Sequence, residues 1–136
     1  RIGPVAALAT INKLKSNKIP QYLVKIGKGV QESWRQLSGK HNLNITISGI
    51  YPLGHFAFEY KNPLILKTLF TQMMLEKGFL ATDAFYASYA HKKEHIGKYL
   101  KAVDETFGFI SSVIKKGKPK EYLKGPICQS GFKRLA

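Results

Sequence analysis

The apolar residues of this 136-residue chain change their period partway along, and that change constrains the fold more than any other feature. Tyr22, Ile26, Val30, Trp34 and Leu37 fall three or four residues apart, the spacing of one helix face. From Asn44 to Tyr60 the period drops to two. Ile45 and Ile47 alternate with Thr46 and Ser48, and after the turn "IYPLG" Phe56 and Phe58 share one side of a second run from His55 to Tyr60. The helical part opens at Pro4, with Val5, Leu8, Ile11 and Leu14 at helical spacing. Pro20 divides it in two, because proline disfavours helix in the residue before it and suits a first turn, and Gly39 reads as a left-handed cap. Residues 1–39 are therefore a helical lead-in to two strands.

Asn62 followed by Pro63 predicts a helix start, and Leu66, Leu69, Phe70 and Met73 give that helix a core-facing stripe ending at Gly78. "FLATDAFYASYA" reads as a third strand, begun near Thr82 and Asp83. Ile96, Tyr99 or Leu100, Val103, Phe107, Ile110 and Ile114 mark the last helix. The order α-β-β-α-β-α predicts an α+β two-layer domain over residues 1–114, a three-stranded sheet covered by helices, since each helix has one apolar stripe and each strand one apolar face. Residues 115–136 form a basic tail. Gly117, Pro119, Gly125, Pro126 and Gly131 make it irregular, and Tyr122, Leu123, Ile127 and Phe132 are spaced as anchors to a surface.

The charge is lopsided, 22 Lys and Arg against 8 Asp and Glu, with seven basic residues in the tail beside Glu121 alone. Such a field would draw nucleic acid or another polyanion, and a free-standing basic binding module is the alternative reading of the chain. Only three residues are arginine, the usual base reader, so nucleic acid is not the expected partner. Cys128 is the sole cysteine and no leader opens the chain, which predicts a cytosolic setting. No apolar run approaches the ~18 residues of a membrane span. The chain begins with Arg1, and we expect it to be a piece of something longer.

Few groups suggest chemistry. His91 to His95 spells H-x-x-E-H, a zinc-peptidase pattern, but Lys92 and Lys93 would crowd a dication and a third ligand is missing, so the segment reads as the solvated first turn of the last helix. Cys128 has no neighbouring base and reads as a thiol in a mobile tail. "GKG" at Gly27 to Gly29 lacks phosphate-loop spacing and reads as helix surface. Asp83, an acid among strand-like residues, is either a turn cap or a group pointing into a site, and residue type favours the cap. No metal site and no complete set of catalytic groups is indicated.

The ordered combination "GPVAALATINKL", "VQESWRQLS", "ITISGI", "LFTQMMLEKGFLA" and "SYAHKKEHIGKYLKAVDETF" resembles the C-terminal small domain of class III aminotransferases that depend on pyridoxal phosphate, in particular the glutamate-1-semialdehyde aminomutase-like branch. The resemblance runs from about Gly3 to Ile114. It implies a parent enzyme, an aminotransferase or aminomutase, that moves an amino group with pyridoxal phosphate. It also implies a large domain of the same enzyme as partner, a homodimer, and a small-molecule amino or carbonyl substrate. In such enzymes the cofactor lysine lies in the large domain, and no lysine here matches its motif. The chain alone is therefore expected to be inactive, with no catalytic or cofactor-binding residue and no bound cofactor. The resemblance places Asp83 where aminomutases carry a substrate-contacting glutamate, and matches Ser88 and His91 to an S-x-A-H motif. Asp83, Tyr86, Ser88 and His91 are thereby expected near the substrate.

Overall fold

The computed structural model describes residues 2–129 and 131. The helical lead-in is two helices, α1 (Ile2–Ser16) and α2 (Ile19–Lys40). Strands β1 (Ile45–Ser48) and β2 (Leu53–Phe58) follow, then α3 (Pro63–Glu76), β3 (Ala84–Tyr86) and α4 (Lys93–Lys116). A 3-10 turn, Pro119–Tyr122, follows α4. The strand order is β1-β2-β3, antiparallel throughout, with Ile47 opposite Phe56 and Leu53 opposite Tyr86. This is the α+β order that the periodicity predicts.

The alternation in β2 decides which face is covered. Gly54, Phe56 and Phe58 are buried, while Leu53, His55 and Ala57 are exposed. On the buried side the ring of Phe56 meets Trp34 of α2, Phe70 of α3 and Phe107 of α4, all edge-on, with centroids 5.0, 5.1 and 5.6 Å away. All four rings are fully buried. One aromatic knot thus ties three helices to the sheet, and edge-to-face geometry is the arrangement that ring quadrupoles favour. The Trp34 indole N–H donates to the Tyr99 hydroxyl at 3.2 Å, so the two polar atoms carried into this core satisfy each other.

Several boundaries differ from the sequence reading. α2 runs through Gly39, and the left-handed residue is Asn42, at φ 53°. The Leu43 N–H then closes back onto the Ser38 carbonyl at 2.9 Å, which turns the buried Leu43 under the sheet. β2 starts at Leu53 and ends at Phe58, two residues earlier at each end than read, because Leu53 pairs with Tyr86 and the strand ends where α3's approach begins. β3 has only three residues. Beyond Tyr86 the Ala87 N–H turns to the Pro52 carbonyl at 2.8 Å, and the chain then folds into a tight turn from Ser88 to His91. In α3 it is Met74, not Met73, that is fully buried. The Val5, Leu8, Ile11, Leu14 stripe lies open, since α1 has no buried residue among those described.

Two further readings are overturned. Gly27 is no surface filler: it is buried, and a Cβ there would run into the backbone of Tyr51. The start of the tail is not loose either. The Gln72 side chain donates to the Tyr122 carbonyl at 3.1 Å and accepts from the Lys124 N–H at 2.8 Å. The Cys128 N–H donates to the Thr68 hydroxyl at 2.9 Å, and its half-buried thiol faces the Leu64 carbonyl. Tyr122 and Leu123 pack on the core as anchors, whereas Ile127 is exposed. Phe132 lies outside the described residues.

Candidate functional site

A cavity of about 480 Å³ opens between β3, the segment leading into it, and the start of α4. Its walls are aromatic. Tyr99 stands between Phe79 and Phe85, with ring centroids 6.1 and 5.6 Å away, and Phe85 in turn lies 5.2 Å from the His91 ring. Because Tyr99 is bonded to Trp34, this wall is backed directly by the core. Burial pushes the Tyr99 phenol well above its ordinary pKa, against the smaller opposing effect of the Trp34 bond, so this hydroxyl keeps its proton.

The polar end is built by the turn before α4. The Ser88 N–H donates to His91 Nδ1 at 3.1 Å, the His91 N–H returns to the Ser88 carbonyl at 3.0 Å, and the Ala90 N–H reaches the Ser88 hydroxyl at 3.2 Å. Tyr22 of α2 clamps the turn from below, donating its hydroxyl to the His91 carbonyl at 2.6 Å. With Nδ1 occupied as an acceptor, the proton of the neutral His91 ring sits on Nε2. His95, also on the cavity wall, repeats the device by taking the Lys92 N–H on its Nδ1 at 3.1 Å. The helix begins only at Lys93, so His91 precedes it. The two imidazoles are therefore not one turn apart on a helix as H-x-x-E-H requires. Among the described residues there is no group of three or more His, Cys, Asp and Glu able to hold a metal.

The four residues expected near a substrate do not converge. Tyr86 and His91 share the large cavity, Ser88 is used up in the turn that fixes His91, and Asp83 lines a separate, smaller cavity of about 180 Å³ with Phe58 and Leu64. There Asp83 Oδ1 receives the Lys67 ammonium at 2.9 Å and the Thr82 hydroxyl at 2.8 Å, while its carbonyl takes the Phe56 N–H at 2.9 Å. Sequence reasoning missed Phe79, Phe85 and Tyr99 as cavity residues, and the wall they share with His95 exists only once β3 and α4 are packed. Pyridoxal phosphate needs a lysine to hold it, and no lysine lines this cavity. The residues here do not fit that cofactor by themselves.

No family model matches the chain. In fold it superposes with a TM-score of 0.62 on the PLP internal aldimine form of the FumI protein of Sphingopyxis sp. MTA144, at 17% identity, over 74% of this chain and 25% of that one. In sequence it is similar to glutamate-1-semialdehyde 2,1-aminomutase of Clostridium kluyveri, 31% identical over 117 residues, covering 73% of this chain and 27% of that enzyme. The chain thus spans about a quarter of the length of the relatives it matches. Sequence and fold agree on a fragment like those of pyridoxal-phosphate-dependent aminotransferases and aminomutases, with the α+β architecture of their C-terminal domain. No helix among the described residues is long and apolar enough to cross a membrane.

Proposed function

We propose that this chain is the C-terminal part of a pyridoxal-phosphate-dependent aminotransferase or aminomutase that moves an amino group on a small amino or carbonyl substrate. In this reading residues 1–114 are its small domain and 115–136 a basic extension. The observation that carries it is the 31% identity to an aminomutase over 117 residues, which covers 73% of this chain. The cofactor and the lysine that holds it belong to a large domain outside residues 1–136, and the working form is a homodimer in the cytosol. The small domain supplies Tyr86 and His91 to the substrate side, Ser88 to hold His91 in place, and Asp83, held by Lys67, at the margin.

The isolated chain, mixed with pyridoxal phosphate and reduced with borohydride, is expected to carry no stoichiometric pyridoxyl group on any one lysine. A single fully labelled lysine would overturn the reading that the cofactor anchor lies elsewhere.

A further inference from the structure

We infer that the cavity between β3 and α4 is a binding site for an aromatic carboxylate. Its volume, about 480 Å³, lies inside the ~300–1,000 Å³ range of small-molecule sites and suits one aromatic ring with a short acid arm. Phe79, Phe85 and Tyr99 offer ring faces and edges for stacking, in positions set by the core behind them. The polar atoms are carried by His91, whose ring lies 5.2 Å from that of Phe85, and by His95. The Nδ1 atoms of His91 and His95 are both filled by backbone N–H groups, so each ring carries its proton on Nε2 as a donor. His91 Nε2 has no protein partner among the described residues.

Neither an acid nor a lysine or arginine lines the cavity, so the imidazole N–H groups are its handles for an acid. The acid nearest in sequence, Glu94, is exposed with Oε1 3.6 Å from His95 Nε2. Asp83, which would repel an acid, is turned to the other cavity and neutralised by Lys67. The whole chain carries a net charge of +14, so an anion is drawn toward it. Tyr86 and Leu80, 68% and 97% exposed, stand at the mouth without closing it. If the chain is part of an aminotransferase this ligand is an aromatic amino or oxo acid serving as its amino or carbonyl partner. That last step rests on the proposed function, and the binding does not.

The test is a titration of the 136-residue chain with phenylacetate, phenylacetamide and acetate, read on the imidazole proton and nitrogen resonances of His91 and His95, with Trp34 fluorescence verifying the folded state. Phenylacetate is expected to saturate and shift both imidazoles, and to bind about tenfold more tightly than the amide, as a hydrogen bond to a charged group would require. Acetate should leave the signals in place. Leu80→Asp, at a fully exposed position that cannot disturb the core, should weaken phenylacetate and spare the amide; His95→Ala should weaken it as well. Equal binding of acid and amide, equal binding of acetate, or no saturable shift in the folded chain would each overturn the proposal. None of these results depends on a lysine adduct, so the site and the enzyme reading can fail separately.

Discussion

The Cα of Gly27 on α2 lies against the main-chain carbonyl of Tyr51 in the β1–β2 turn, so close that a Cβ on Gly27 would sit 1.7 Å from the oxygen. Gln31, one turn along the same helix, donates its side-chain N–H to the neighbouring Ile50 carbonyl at 3.3 Å and fills the space over Gly54. Helix and hairpin are therefore joined backbone to backbone here, and the contact leaves no room for a methyl group.

The two glycines of "GKG" should consequently respond in opposite directions. Gly27→Ala is expected to cost about 3 kcal/mol, since the obstacle is main chain and cannot rotate away. A Cβ at Gly29 meets nothing within 4 Å, so Gly29→Ala should stabilise by about 0.5–1 kcal/mol through helix propensity. Urea midpoints of the two variants check this, and similar shifts in the same direction would refute the packing described.

The contact between α2 and α4 carries a pH dependence. Asp104 receives Lys40 Nζ at 2.7 Å and His41 Nε2 at 2.6 Å, and these hydrogen bonds, Lys40 first, hold its carboxyl below the ordinary carboxylate value. A carboxyl depressed in the folded state contributes stability above its unfolded pKa, near about 3.9, and that contribution is lost as pH falls through the folded value. The pair is partly exposed, so its worth is about 0.5–1 kcal/mol. Asp104→Asn should lower stability at neutral pH by that amount and converge on the parent chain in acid. Chemical denaturation at a series of pH values would reveal an unchanged gap if the ion pair were idle.

The basic surface gives a third expectation. Lys118 and Lys124 are paired with Glu121 and Glu76, which leaves a diffuse positive field without an arginine reader in the described tail. Binding to a nucleic-acid duplex should be weak, independent of sequence, and gone at physiological salt, because phosphate contacts release counterions. Retention of tight, sequence-selective binding there would favour a free-standing binding module instead.

How far the sequence revealed this molecule depended on range. Ile45, Ile47, Phe56 and Phe58 displayed the inward face of the sheet because a strand's alternation is a local property, and Val30 and Trp34 displayed the inward stripe of α2 for the same reason. The end of α2 was misplaced because Gly39 looked like the natural cap, while burial of Leu43 placed the left-handed turn at Asn42. Gly27 was invisible as a packing residue since its partner lies 24 positions later in the hairpin. The aromatic cavity was missed for a related reason. Phe79 and Phe85 read only as members of a strand-like run and Tyr99 as a helix-stripe position, and the hydrogen bonds that fix the His91 and His95 tautomers run to backbone N–H groups, which no residue pattern records. Asp83 stood out in the sequence as an acid among strand-like residues, but its partner Lys67 comes from another element and could not be read there.

The central claim is that these residues complete a pyridoxal-phosphate enzyme whose cofactor anchor lies outside them. The most direct measurement is borohydride reduction of the full-length protein that contains this chain, followed by peptide mapping of pyridoxyl-lysine. The account expects one pyridoxyl-lysine per chain, in a peptide outside residues 1–136. A full-length protein with no pyridoxyl-lysine, or with its label on a lysine within these residues, would contradict it.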